Sequence, residues 1–217
     1  MLTLSNKIST IICHNLNITG EKKEVIEYGM IALVQMILFI MIIPIIGIFT
    51  GTALAALTIC LTTSILRKYS GGVHVSSLNI CTIIGVAFCF LASVLIQYVL
   101  DGWISLFWLS IVTTICYTLA FIVIYLKAPV DSENKPIKTL KKKIRLRKSC
   151  YIVLATYALI TIGLIYLSYQ FNMTTTYALC ILFGLMWQIL TLTKVGKSLI
   201  GRLDRGMCRT WQALKSQ

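Results

Sequence analysis

A histidine and a cysteine seven residues apart are the residues in this sequence best suited to covalent chemistry. His74 lies in a polar stretch just after Gly71 and Gly72, and Cys81 stands where the next apolar run begins. A cysteine attacks as the thiolate, and a nearby imidazole can stabilise that ion and later return its proton. The pair therefore suggests a nucleophile and its base.

The spacing of the pair constrains the local structure. On one straight helix, seven residues separate two side chains by about 10 Å along the axis, which is too far for a hydrogen bond of about 3 Å. We therefore expect His74 to lie in a loop at the glycine pair, and Ser76, Ser77 or Asn79 to cap a following helix. Cys81 would then lie in the first turn, where free N–H groups and the helix dipole stabilise a thiolate and an oxyanion.

Other interpretations of the two residues stay open at this point. A cysteine at a helix start is often a packing residue, and a histidine in a loop is often solvated. Metal binding is a weaker interpretation, because two side chains do not close a zinc site. Neither a metal nor another cofactor is expected. The eight cysteines are scattered, without tight metal-ligand spacing, and mostly lie in apolar runs where they act as small hydrophobic residues.

Composition places these residues in a membrane protein. The chain is 58% hydrophobic and only 12% charged, whereas soluble proteins carry about 25% charged residues. A helix of about 20 apolar residues crosses the hydrocarbon core. The sequence predicts an all-α polytopic membrane protein with six transmembrane helices, at residues 30–49, 52–66, 81–100, 103–126, 150–168 and 177–193. Residues 2–17 have helical periodicity but are too short to span, which predicts an N-terminal amphipathic interfacial helix.

Charge predicts the orientation of these spans. The net charge is +13, from 20 Lys and Arg against 7 Asp and Glu. The three loops expected outside, 50–51, 101–102 and 169–175, contain no Lys or Arg, as the positive-inside rule requires. Both termini, His74 and Cys81 are therefore expected at the cytoplasmic face of the cell membrane. Nucleic-acid binding is not expected, because no binding module fits between the spans.

The domain organisation expected from these patterns is simple. Residues 1–217 form a single integral-membrane domain. Its parts are an interfacial and cytoplasmic N-terminal region at 1–27, six spans within 30–193, and a basic cytoplasmic tail at 194–217.

Two motifs resemble those of a known family. The run Arg67-Lys68-Tyr69-Ser70-Gly71-Gly72-Val73-His74, followed by Cys81, resembles the signature of the accessory gene regulator B (AgrB) family. Residues 128–137 resemble the cytoplasmic loop of the same family. The resemblance implies a membrane cysteine endopeptidase of Gram-positive bacteria, which processes the AgrD precursor of the autoinducing peptide in quorum sensing.

The resemblance also implies roles for residues of the first motif. Cys81 would be the nucleophile and His74 the base, while Arg67 and Gly72 match positions that the family needs for activity. The group that orients His74 stays open between Asn79, Ser70 and a backbone carbonyl.

The reaction and partner are likewise implied by the resemblance. The enzyme would cleave the C-terminal tail of the precursor and keep the rest as an acyl-enzyme, which an internal Cys or Ser then attacks to close a thiolactone or lactone. The precursor would have an amphipathic leader and an acidic tail, and the protein would be a homodimer. A basic run could hold that tail, or could serve topology and contact anionic lipid; it comprises Lys141, Lys142, Lys143, Arg145, Arg147 and Lys148.

Two other classes of function compete with this interpretation. A small membrane peptide transporter or exporter, without covalent catalysis, would need polar side chains at mid-membrane depth. Gln35, Gln97 and Gln188 are the main candidates for such side chains. A structural or regulatory membrane partner would leave both His74 and Cys81 dispensable.

Overall fold

Eight α-helices follow one another in the computed structural model, which describes residues 2–15, 20–72, 78–130, 139–170 and 173–215. They are α1 (Leu2–Asn15), α2 (Glu21–Phe49), α3 (Ala53–Ser70), α4 (Leu78–Leu95), α5 (Leu106–Lys127), α6 (Leu140–Leu167), α7 (Met173–Thr191) and α8 (Lys194–Lys215). A π-helical turn, Ile96–Leu100, extends α4. These described ranges contain no strand, which confirms the all-α fold class.

Several of the helices can cross a membrane. Ile80–Leu100, Leu106–Lys127 and Leu140–Leu167 are long and apolar enough to do so singly, and α7 qualifies together with α8 as a pair bent by 88°. Large apolar side chains are also exposed on the outer surface, with Phe107 at 70% and Leu159 at 73%. Soluble monomers rarely expose contiguous apolar surface on this scale. The chain is therefore a multi-pass membrane protein with three to four candidate spans in its described part.

Hydrogen bonds between elements define the two ends of the helix bundle. At one end, the Tyr98 hydroxyl donates to the Thr50 carbonyl oxygen at 2.7 Å, so that the α2–α3 turn meets the end of the π-helical turn. At the other end, the Val130 N–H donates to the Ser70 carbonyl oxygen at 2.9 Å, which joins the end of α3 to the segment after α5. We call these the Thr50 end and the Ser70 end.

The helix α3 lies at the centre of the bundle and packs against α2, α4, α6 and α7. The Thr63 hydroxyl donates to the Gly184 carbonyl oxygen of α7 at 3.1 Å, and the Tyr157 hydroxyl of α6 donates to the Thr62 carbonyl oxygen at 3.0 Å. Ile59 and Leu66 of the same helix are fully buried. These contacts fix the position of the last turn of α3, where the motif begins at Arg67.

Two basic segments of the sequence are helical. The basic run lies within α6, which begins at Leu140, whereas the sequence predicts a span only from residue 150. The basic tail predicted from residue 194 is the helix α8. Lys, Arg and Leu are all strong helix formers, and apolar residues recur between the charges in both segments. The charged ends of the spans are therefore ordered helical surfaces.

The N-terminal segment forms the helix predicted for it, from Leu2 to Asn15. It packs against α2, and Ser9 and Cys13 are buried one turn apart. Residues 16 and 17 lie outside the described residues. The amphipathic character of this helix and its place at the membrane surface stay predictions.

Candidate active site

Cys81 occupies the position that the spacing predicts. The helix α4 begins at Leu78, so that Cys81 is its fourth residue and lies in the first turn. The first four N–H groups of a helix have no partner within it, and they carry the positive end of the dipole. Asn79 is the second residue of α4. His74, Ser76 and Ser77 lie outside the described residues.

Accessibility distinguishes Cys81 from most of the other cysteines. Seven cysteines are described, all as free thiols, and five of these are buried: Cys13, Cys60, Cys89, Cys150 and Cys180. Cys81 and Cys116 are half-buried. Cys116 lies in the middle of α5, whereas Cys81 lies at the Ser70 end and lines a pocket. Cys81 is therefore a partly exposed thiol in a pocket at the Ser70 end.

The pocket at Cys81 is built from four helices. Its volume is about 290 Å³, including space open to the surroundings, and its lining residues are Arg67, Cys81, Ile84, Gly85, Trp187, Thr191 and Ile200. Arg67 comes from the last turn of α3, so that the structure brings together two of the residues predicted from the motif. Trp187 stacks on Phe88 of α4 with ring centroids 4.0 Å apart. This stacking fixes an apolar wall beside the thiol.

The motif loop, which we define as residues 70–72, is held by a side chain of α7. The amide nitrogen of Gln188 donates to the Ser70 hydroxyl oxygen at 2.9 Å and to the Gly71 carbonyl oxygen at 2.7 Å. The Ser70 hydroxyl in turn donates to the Leu66 carbonyl oxygen at 2.9 Å. Ser70 is fully buried and acts as an anchor of the loop.

The two glycines of the motif loop fit where other residues would not. Their φ angles are +71° at Gly71 and +150° at Gly72, which side chains rarely tolerate. A Cβ at Gly71 would lie 2.5 Å from the Val130 carbonyl oxygen, and one at Gly72 would lie 2.9 Å from the Thr191 hydroxyl oxygen. The close approach of α7 therefore explains the need for glycine at position 72.

Gln188 is the main component that sequence reasoning did not assign to the site. Its side chain is fully buried, and its Oε1 atom has no hydrogen-bond partner within the described residues. The sequence marked Gln188 as a polar residue inside an apolar run, but only as a candidate for a transport path. Gln35 donates to the Thr82 hydroxyl, and Gln97 donates to the Gly51 carbonyl, both at 3.3 Å. The three glutamines thus make internal hydrogen bonds.

The first turns of α6 support the same end of the bundle. Arg147 Nε donates to the Ala128 carbonyl oxygen at 2.9 Å, and the neighbouring Val130 is bonded to Ser70. Lys141, Lys143 and Arg145 are exposed and Lys142 is half-buried. Arg147 thus has a structural contact, while these other cations present their charge to the outside.

Fold and pocket together define a class: a helical multi-pass membrane protein with an accessible thiol at one end of its bundle. The chain matches the family model for Accessory gene regulator B, AgrB, over residues 5–192. It therefore belongs to the AgrB family, as the motif predicts, and this membership implies involvement in the agr quorum-sensing system.

Relatives agree with this assignment over nearly the whole chain. An AgrB-like protein of Clostridium perfringens strain SM101 is 36% identical over 203 residues, which cover 93% of this chain and 95% of the relative. A second AgrB-like protein, from Clostridium perfringens strain 13, is 35% identical over the same coverage. No solved structure matches the chain significantly.

Proposed function

We propose that this protein is a membrane-embedded cysteine endopeptidase, which removes the C-terminal tail of an AgrD-like precursor and promotes its cyclisation. The observation that carries the proposal is the half-buried Cys81 thiol, which lies in the first turn of α4 and shares a pocket with Arg67. Membership of the AgrB family supports a peptidase role and a precursor peptide as partner.

The proposed reaction has two covalent steps. The Cys81 thiolate attacks the carbonyl carbon of the scissile bond, and N–H groups at the start of α4 stabilise the oxyanion. His74 protonates the leaving amine, so that the C–N bond breaks and a thioester remains. A thiol or hydroxyl within the precursor then attacks the thioester and gives its proton to His74. The new bond closes a thiolactone or lactone, and Cys81 leaves as the thiolate, which restores the starting state.

The apolar walls of the pocket favour ring closure over hydrolysis. Ile84, Trp187 and Ile200 lie beside the thiol. Water competes with the internal nucleophile for the thioester, and a site that excludes water reduces this competition.

Six spans with both termini in the cytoplasm are the topology that we propose. The three candidate single spans would be joined by α2, α3 and α7, each of which would cross the membrane once. The α2–α3 turn and residues 101–105 lack Lys and Arg, whereas cations cluster at the Ser70 end. The active site would then face the cytoplasm in a single domain.

The precursor would bind through charge and through its leader. Lys141 and Arg145 lie one helical turn apart on α6, and with Lys142 and Lys143 they form a cationic surface for the acidic tail. An amphipathic leader would lie in the membrane interface, at the level of Cys81. We also propose a homodimer, on the grounds of the family alone.

The first test compares cysteine variants in membranes that are supplied with an AgrD-like precursor. We expect Cys81→Ala and His74→Ala to lose tail cleavage, because each removes a group that takes part in bond breaking. Cys116→Ala is the matched control, since it removes the other half-buried described thiol. It should retain cleavage within about twofold, as a mild substitution away from the chemistry does.

A trapped intermediate would strengthen the assignment. The wild-type protein should form a covalent adduct with the precursor that hydroxylamine releases and that mass spectrometry maps to Cys81. Normal processing by Cys81→Ala, with the variant inserted at wild-type levels, would rule out the proposed enzyme.

A further inference from the structure

The helix α8 lies beyond the region that the family model matches, and its composition differs from that of the spans. The match ends at residue 192, and α8 begins at Lys194. At helical spacing, the first four turns place apolar and basic residues on opposite faces. The apolar face comprises Val195, Leu199, Ile200, Leu203 and Met207, and the basic face comprises Lys194, Lys197, Arg202 and Arg205.

A hydrogen-bonded bend between α7 and α8 sets the direction of α8. It runs at 88° to α7. The Gly196 N–H donates to the Thr193 hydroxyl oxygen at 3.1 Å, and that hydroxyl donates to the Leu190 carbonyl oxygen at 2.8 Å. Thr193 therefore caps the start of α8. A Cβ at Gly196 would clash with the Leu190 carbonyl oxygen, so that a larger residue could not make this bend.

The apolar face of α8 is only half covered by the protein. Gly196 and Ile200 are buried against the bundle, and Ile200 lines the Cys81 pocket. Val195, Leu199 and Leu203 form a row at four-residue spacing, with exposures of 69%, 44% and 44%. This row lies between the bundle and the basic face.

One environment satisfies both faces of this helix. If α8 were the second half of a broken span, four cations would lie in hydrocarbon, which is strongly unfavourable. In water, the apolar row would stay exposed. In the headgroup layer, the row enters the acyl boundary while the cations meet anionic headgroups. The topology proposed above has α7 cross the membrane, and a helix at 88° to α7 then has the direction of the membrane surface.

We propose that α8 binds an anionic phospholipid surface in the plane of the membrane and thereby holds Ile200 in place as a wall of the Cys81 pocket. The charge of the helix fits this partner. Between residues 194 and 207, the single acid Asp204 is outnumbered by four cations: Lys194, Lys197, Arg202 and Arg205. The inference requires a membrane protein, which the fold shows, and it does not require proteolysis.

The test places a tryptophan on either face of α8 in the full chain. Leu199→Trp and Lys197→Trp are reconstituted in vesicles that contain brominated phosphatidylcholine and phosphatidylglycerol, and the signal of the unsubstituted chain is subtracted. We expect the added emission of Leu199→Trp to fall at least twofold through bromine quenching. That of Lys197→Trp should resist bromine but respond to aqueous iodide. Equal bromine quenching of both variants, or quenching of neither, would overturn the proposal.

A second arm tests the choice of partner. Removing phosphatidylglycerol, or introducing Arg202→Glu together with Arg205→Glu, should at least halve the bromine quenching of Leu199→Trp. Unchanged quenching would show that anionic lipid is not the partner. If Leu199→Trp is protected from iodide only when an AgrD-like peptide is added, the apolar row of α8 binds the peptide and not lipid. This result would also overturn the proposal.

A third measurement tests the link to the pocket. The rate of Cys81 alkylation, followed by mass spectrometry, should differ at least twofold between vesicles with and without phosphatidylglycerol in the wild type. The doubly charge-reversed variant should lose this difference. Equal alkylation rates of the wild type in both kinds of vesicle would refute the link. The alkylation assay needs no precursor, so that its result does not depend on the proposed protease activity.

Discussion

Gln188 connects the motif loop to the pocket through a single side chain. It lies one helical turn before Thr191, which lines the pocket, and its amide donates to both Ser70 and Gly71. The adjacent Trp187 forms the stacked wall. A rearrangement of this turn of α7 would therefore move the loop and the pocket wall together.

Gln188→Leu should destabilise the protein and lower its activity. The substitution removes one hydrogen bond to the buried Ser70 hydroxyl and one to the half-buried Gly71 carbonyl. Each group left unsatisfied costs about 1–3 kcal/mol, partly offset because the unpartnered Oε1 atom also disappears. Thermal unfolding in detergent and precursor cleavage would both report the change. Gln97→Leu is the control, since Gln97 makes one exposed bond of 3.3 Å at the Thr50 end. Equal effects of the two substitutions would contradict the anchoring role of Gln188.

Residue spacing predicted one part of the site and not the other. The break at the glycine pair placed Cys81 in a first turn, and the motif placed Arg67 near it; the structure has both features. The sequence pattern could not assign four further residues to the site: Trp187, Gln188, Thr191 and Ile200. A hydropathy pattern indicates whether a residue is buried, but it does not identify the residue's neighbours on other helices. The glycine pair indicated that another segment packs closely against the motif loop, but it did not indicate that this segment is α7.

At the scale of elements, α6 combines a charged surface with a structural role. Its cations continue directly into a candidate span, and Arg147 reaches back to the Ala128 carbonyl. Through Val130 and Ser70, this contact extends to the motif loop. The same run of charge thus contains one residue with a fixed partner and several exposed ones.

Arg147→Lys should lower thermal stability although it keeps the charge. Lysine has no N–H group at the position of Nε, so that the charge-assisted bond to the Ala128 carbonyl, worth about 1.5–3 kcal/mol, is lost or weakened. Lys148→Ala removes an exposed charge next to it and should change stability by less than about 0.5 kcal/mol. The comparison is made by thermal unfolding at matched detergent and salt concentrations. A stable Arg147→Lys protein would show that only the charge of this residue matters.

Element boundaries show where sequence patterns fail. Hydropathy marked the ends of apolar runs, yet α3 continues to Ser70 and α6 starts at Leu140, because helix propensity extends through charged residues. The bend between α7 and α8 depends on Thr193 and Gly196. Neither residue is unusual enough in sequence to predict an 88° turn.

At the scale of the molecule, the count of spans depends on α2 and α3. These helices form a hairpin at the Thr50 end, but in the described residues the apolar part of α2 is the short Leu33–Phe49 segment. The hairpin either crosses the bilayer, which gives six spans, or enters and returns from one side.

A reporter inserted at Gly51 should decide between these two arrangements. We expect it to be accessible from outside the cell, as should one at Gly102, while a reporter after Gln217 should be cytoplasmic. The reason is the absence of Lys and Arg from both turns and their abundance at the Ser70 end. Labelling of intact cells with a membrane-impermeant reagent provides the measurement. An external Gly102 reporter combined with a cytoplasmic Gly51 reporter would reduce the number of spans to four.

The Cys81 pocket is lined by residues from four helices, and this has a consequence for biosynthesis. Cys81 emerges from the ribosome early, whereas Trp187, Thr191 and Ile200 are among the last parts of the chain to be translated. A nascent protein with only its first helices inserted carries the thiol but lacks these walls and the Gln188 anchor. The enclosure of the Cys81 thiol is therefore postponed until translation is nearly finished.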